Sequence, residues 1–111
     1  MEKIKLSNIK YNKDGLVPVI VQDFNTQKVL MLAYSNKEAI KLTLEKKTAY
    51  FWSRSRDELW LKGATSGNYL KILNILIDCD NDSLVYKVDL GINKACHTGE
   101  ESCFFKEIEN E

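Results

Sequence analysis

Excess charge of either sign is missing: 16 lysines and arginines balance 16 aspartates and glutamates, for a net charge of zero. Proteins that bind nucleic acid or membrane surfaces through their overall field carry a basic excess, so neither partner is expected. A local basic pocket for a phosphorylated small molecule stays open. Long apolar runs are also missing. Stretches such as Val29–Tyr34 are far too short to span a bilayer. The N-terminus, Met1-Glu2-Lys3-Ile4-Lys5, leads into no apolar targeting segment, so a cytoplasmic location is expected. Proline occurs once, at Pro18, and histidine once, at His97. No repeat, linker or low-complexity stretch divides the chain. Its 111 residues suffice for one core and not for two, so residues 1–111 are expected to form a single domain.

Cysteine is scarce and odd in number: Cys79, Cys96 and Cys103. A disulfide scaffold needs an even count and a secreted setting. In a reducing compartment the three thiols are either buried small apolar groups or metal ligands.

The pattern of what is present reads as α+β with a mainly antiparallel sheet and one main helix. Val17–Asp23 and Lys28–Tyr34 read as a hairpin around Asn25-Thr26, with Pro18 at an edge or among the first strand residues. Ser35 and Glu38 have the spacing of a capping box, and Ala39, Ile40, Thr43 and Leu44 share a helical face, which predicts a helix from Asn36 to about Lys47. Thr48–Ser53 reads as a strand, as do Tyr69–Asp78 and Leu84–Leu90 about the turn Asn81-Asp82-Ser83. Ser53–Gly67 is polar and basic, broken only by Leu59-Trp60-Leu61. Gly91–Glu101 reads as loop and Cys103–Ile108 as a last short strand.

Three groups of residues carry chemistry. Asp78, Asp80 and Asp82 alternate, so in an extended segment they share one face and Cys79 points to the other. Three carboxylates suit a hard cation such as Mg²⁺, whereas Cys79 suits a soft one. An EF-hand loop is excluded, because Ser83 and Asp89 stand where glycine and glutamate are required. The second group is Cys96-His97-Thr98-Gly99 with Ser102-Cys103-Phe104. A loop with this spacing can fold both thiolates onto one ion, and Cys79 would make three ligands, leaving a fourth position for water as at a catalytic zinc. His97 reads as a fourth ligand, a base or a passive loop residue; its adjacency to Cys96 favours a base or proton shuttle. The third group joins Trp52, Arg54 and Arg56 to Trp60, Lys62, Thr65 and Ser66. Cations, hydroxyls and glycines make an anion cradle, and the tryptophans offer faces for a flat base.

Several ordered motifs together resemble phosphoribosyl-AMP cyclohydrolase, of histidine biosynthesis. They are Gly15-Leu16-Val17-Pro18, Gln22-Asp23, Val29-Leu30-Met31-Leu32-Ala33-Tyr34, Trp52-Ser53-Arg54-Ser55-Arg56, Leu59-Trp60, Lys62-Gly63, Thr65-Ser66-Gly67-Asn68, Asp78-Cys79-Asp80-Asn81-Asp82, Cys96-His97-Thr98-Gly99 and Ser102-Cys103-Phe104. The resemblance runs from about Gly15 to Phe105. It implies Mg²⁺ on Asp78, Asp80 and Asp82, and Zn²⁺ on Cys79, Cys96 and Cys103. It also implies that Cys79 comes from the partner subunit of an obligate, intertwined homodimer.

The implied substrate is an adenine nucleotide with a phosphoribosyl group on N1, and the implied reaction is hydrolytic opening of the N1–C6 bond. Arg54, Arg56, Lys62, Thr65 and Ser66 would then contact phosphates, Trp52 or Trp60 would face the base, and His97 would move a proton. In some organisms such an enzyme is fused to a phosphoribosyl-ATP pyrophosphohydrolase. This chain, ending at Glu111, is expected to lack that domain, with a separate pyrophosphohydrolase as a candidate partner. On the residues alone, two other readings stay open: a non-catalytic zinc-stabilised binding module, and a plain α+β domain with buried thiols.

Overall fold

β-Branched and aromatic residues dominate the segments that form strands. The computed structural model describes residues 2–110. Its strands are β1 (Val17–Asp23), β2 (Val29–Ser35), β3 (Tyr50–Ser53), β4 (Glu58–Leu61), β5 (Lys71–Ile77) and β6 (Leu84–Asp89), with helix α1 (Lys37–Lys46) between β2 and β3. They form one sheet in the order β4-β3-β2-β1-β6-β5. Every pairing is antiparallel except β1 with β6, so the sheet is mixed though mainly antiparallel. The sheet curls. Thr48, just before β3, bridges to Lys71 at the start of β5, and Ile72 N–H donates to Lys47 O at 2.9 Å.

Alternation along β1 and β6 sends one residue in two inward. Val17, Val19, Val21, Leu84, Tyr86 and Val88 therefore meet Leu30, Phe51, Leu70 and Ile40 in a single core. Tyr86 stacks on Phe51, with ring centroids 5.7 Å apart. Pro18 is the second residue of β1, and the ladder to β6 begins only at Val19, so its missing N–H costs the parallel pairing nothing. Among the described residues no helix is long and apolar enough to cross a membrane.

Four local expectations need correction. The helix cap is Asn36, whose Oδ1 accepts from Ala39 N–H at 2.9 Å. Ser35 is the buried last residue of β2, so no capping box forms with Glu38. Leu44 leaves the helical contact face and is exposed, whereas the buried Thr43 donates to Ala39 O at 2.8 Å and accepts from Tyr50 N–H at 3.0 Å. β4 was not foreseen, because four residues are too few to show a period. Its hairpin turn closes with Asp57 at φ 53°. Cys103–Ile108 is not a strand: Cys103 N–H donates to Leu30 O at 2.7 Å, and Ile108 stands fully exposed.

Two features pin the ends of these elements. Asp23 is buried at the β1–β2 turn, where its Oδ2 accepts from Thr26 N–H at 2.8 Å and its Oδ1 from Leu90 N–H at 3.2 Å. Burial pulls its pKa up, but the N–H donors of Thr26, Leu90 and Asn25 outweigh it and hold the carboxyl below its ordinary range. After β4, Gly63 adopts φ +96°, and a Cβ there would sit 2.5 Å from Tyr69 N and 2.6 Å from Asn68 C.

Asp23→Ala should lower stability by about 2 kcal/mol at pH 7, since the buried Leu90 N–H and the part-buried Thr26 N–H lose their acceptor. A depressed folded-state pKa contributes stability above the unfolded value and loses it as pH falls. The gap between wild type and Asp23→Asn in denaturant unfolding should therefore be present at pH 7 and narrow below about pH 4. A gap that stays constant down to pH 2 would contradict the charged hydrogen bonds. Gly67 also has a positive φ (+82°), but a Cβ there meets nothing within 4 Å. Gly67→Ala should thus cost about 1 kcal/mol for the backbone conformation alone. Gly63→Ala should cost several times more in thermal or denaturant unfolding; equal costs would show that the clash is relieved.

Candidate active site

The loop after β6 doubles back on itself. Ala95 N–H donates to Glu101 O at 3.0 Å, Cys96 N–H to Glu100 O at 3.2 Å, and Gly99 N–H to Cys96 O at 3.1 Å. Ser102 Oγ donates to Val29 O at 2.8 Å, and Cys103 N–H donates to Leu30 O, so the loop's end is fastened to the open flank of β2. This fold brings the Cys96 and Cys103 thiols into hydrogen-bonding reach of each other.

Cys96 is buried, and its Sγ lies 3.0 Å from Thr98 Oγ1. Hydrogen bonds from Thr98 pull its pKa below the ordinary thiol value, and the Cys103 thiol adds to this. Cys103 moves the other way. Desolvation of its thiol and the charge of Cys96 push it up, while the Lys62 ammonium opposes them. Lys62 is only 7% exposed. Desolvation lowers its pKa against the pull of Cys103 and Cys96. Lys62 thus stands beside the thiol pair and does not line the cavity of Arg54 and Arg56. His97, next to Cys96, is exposed.

Cys79 is elsewhere. It is exposed in the turn between β5 and β6, at the start of β6. Cys103 is fastened to β2, and β1 stands between β2 and β6. Two sulfurs on one zinc must be within about 4 Å of each other, given bonds of about 2.3 Å. Among the described residues the only group of three or more convergent ligand atoms is Asp78, Asp80 and Asp82, whose carboxylate oxygens lie within 4.8 Å of one another. The three cysteines of one chain do not converge.

The aspartates meet for a different reason from the one expected. The segment is a turn, with Asn81 at φ 65°, and is not extended. Asp78 Oδ1 accepts from Asp82 N–H at 3.0 Å and Ser83 N–H at 3.2 Å. Slight desolvation pulls Asp78 up, but these donors outweigh it and hold it below its ordinary range. Hydrogen bonds with Asp80 and Asp78, and then their charge, raise Asp82.

The third group divides. Trp52, Arg54, Arg56 and Trp60 line one open cavity of about 670 Å³, within the range of small-molecule sites. Trp60 packs on Phe51 at 5.5 Å between centroids and borders this cavity. Thr65 and Ser66 lie outside it, on an exposed loop closed by Gly67 N–H to Gly63 O at 2.8 Å. That loop is tied to the thiol side: Lys94 N–H donates to Asn68 Oδ1 at 3.2 Å and Asn93 Nδ2 to Tyr69 O at 2.8 Å. Sequence reasoning missed Tyr34 as a site residue. It pairs with Trp52 across β2 and β3, and its ring carries the Arg54 guanidinium 3.8 Å from the centroid. Only the strand register reveals that neighbourhood.

A family model described as phosphoribosyl-AMP cyclohydrolase matches residues 31–105. A phosphoribosyl-AMP cyclohydrolase of Chloroherpeton thalassium is 52% identical over 109 residues, covering 97% of this chain and 77% of that protein. One from Archaeoglobus fulgidus is 52% identical over 103 residues, covering 93% of this chain and 94% of the relative. The histidine biosynthesis bifunctional protein HisIE of Aquifex aeolicus is 52% identical over 101 residues, which is 91% of this chain but 49% of that longer protein.

Proposed function

The chain belongs to the phosphoribosyl-AMP cyclohydrolase family, hydrolases of histidine biosynthesis, and from that premise we propose that it opens the adenine ring of phosphoribosyl-AMP at a site shared between two subunits and dependent on zinc and magnesium. The observation that carries the shared site is the separation of Cys79 from the Cys96–Cys103 pair within one chain. The readings as a non-catalytic zinc module or an inert domain are set aside, because the family is enzymatic.

The donors fit the metals. Cys96 and Cys103 offer two soft donors within reach of each other, and with Cys79 of the partner subunit they would hold zinc. The aspartate turn offers only oxygen, as a hard cation requires. When bound, zinc would lower the pKa of water, and magnesium would neutralise the carboxylates and hold a phosphate. The chain's own groups do the rest. Water adds to C6 of the ring, the N1–C6 bond breaks, and His97 carries the proton from the water to the departing nitrogen. Its exposed place beside Cys96 suits a shuttle better than a fourth ligand. Arg54 and Arg56 bind phosphate, while Trp52 or Trp60 faces the base. Thr65 and Ser66 contact phosphate from the thiol side. The buried ammonium of Lys62 offsets thiolate charge, a role to which its surroundings lend more support than to the phosphate contact first expected of it.

Self-association has its own support. Leu32 and Ile20 are register partners, Ile20 pairs with Val85, and Val85 with Leu76. This apolar row crosses four strands, and Leu32 and Ile20 are 49% and 38% exposed. A second copy of the chain would cover it. A phosphoribosyl-ATP pyrophosphohydrolase is a candidate partner, in keeping with the bifunctional histidine-biosynthesis relative from Aquifex.

Purified protein incubated with phosphoribosyl-AMP should give the absorbance change of ring opening. Metal analysis should find about one zinc per chain, and Cys79→Ser, Cys96→Ser and Cys103→Ser should each lose zinc and activity together. Asp80→Asn should keep its zinc and lose its response to magnesium. Full activity in a cysteine variant, or zinc lost from Asp80→Asn with magnesium activation intact, would overturn this division of ligands.

A further inference from the structure

Two arginines border the cavity, and they are held differently. Arg56 is occupied: its Nε donates to Ser53 Oγ at 3.4 Å and lies 3.5 Å from Glu58 Oε1. Arg54 has no carboxylate within 4.0 Å among the described residues, and its guanidinium lies over the ring of Tyr34, 3.8 Å from the centroid. A guanidinium stacked on an aromatic face uses its plane and leaves its edge donors free. Those edge donors match the oxygens of a phosphate two at a time.

Tyr34 is a rigid support. It stands on β2, paired with Pro18 on β1 and with Trp52 on β3, so the strands on both sides fix its backbone. Arg54, by contrast, stands in the exposed turn between β3 and β4. Ser53 orders that turn, accepting Arg56 N–H at 3.3 Å and contacting Ser55 Oγ at 3.4 Å, but neither bond holds the Arg54 side chain. An exposed arginine samples many rotamers, and ordering it on binding weakens affinity.

We propose that Tyr34 is a positioning residue: its ring holds the Arg54 guanidinium by cation–π stacking, edge-on to the cavity, so that Arg54 meets a phosphate of the substrate already oriented. This rests on the reading of the cavity as the substrate site, and the experiment separates the two. Arg54→Met measures the first claim. With phosphoribosyl-AMP it should raise KM about ten- to hundred-fold, the usual loss for charged hydrogen bonds. An unchanged KM in folded protein would overturn the cavity reading, and the proposal with it.

Tyr34 is then replaced by phenylalanine and by mono-, di- and trifluorophenylalanine. These keep the shape of the ring while weakening its negative face. KM should stay near wild type for Tyr34→Phe and rise stepwise along the fluorinated series, by about two- to five-fold overall, with kcat nearly constant. In the Arg54→Met background the same series should be flat. A KM that ignores fluorination, or a rise that persists without Arg54, would overturn the positioning role while leaving the cavity reading standing. Because ring shape is kept throughout, a purely structural contribution of Tyr34 predicts no trend.

Discussion

Strand order is the constraint on which the rest depends. β6 lies beside β1, β1 beside β2, and the Cys96–Cys103 loop is fastened to the outer flank of β2. Cys79 emerges on the other side of that array, where β5 turns into β6. The strands between them form the core, with Val19, Val21 and Tyr86 fully buried. Within one chain the three thiols therefore stay apart, which is the observation behind the proposed shared site.

The same arrangement sorts hard from soft donors. The β5–β6 turn wraps around Asp78, whose carboxylate caps two backbone N–H groups, and thereby crowds three carboxylates together. The loop after β6 crowds two thiols together beside a buried ammonium. Each cluster gathers donors of one class, oxygen in the turn and sulfur in the loop. Arg54 and the tryptophans stand in a third place, on β3, β4 and their turn, where they line an open cavity.

Much of the fold is legible in the sequence: burial alternates along β1 and β6, β5 is an apolar run, and α1 shows an apolar face with polar flanks. What escaped was decided by context. Asn36 and Ser35 are both good caps, and the strand's need for a buried small residue at its end decides between them. Cys103–Ile108 has strand-like composition, but β2 offers it only the carbonyls near Leu30. The aspartates do lie together, but the turn and not the pleat of a strand brings them there. Lys62 looked like a phosphate ligand by its basic neighbours, and only the structure puts it beside the thiols. Tyr34 carried no local signal, since its partners Trp52 and Arg54 come from another strand and its turn.

Subunit mixing tests the shared site most directly. Cys79→Ser and Cys96→Ser proteins, each inactive alone, are combined, partly unfolded and returned to native conditions so that subunits exchange. In a mixed dimer one site carries both lesions, and the other unites an intact Cys79 with an intact Cys96–Cys103 pair. Random pairing makes about half the dimers mixed and leaves about half of their sites intact, so activity should return to about a quarter of wild type. Activity that stays at background while mixed dimers are shown to be present would contradict a site divided between subunits.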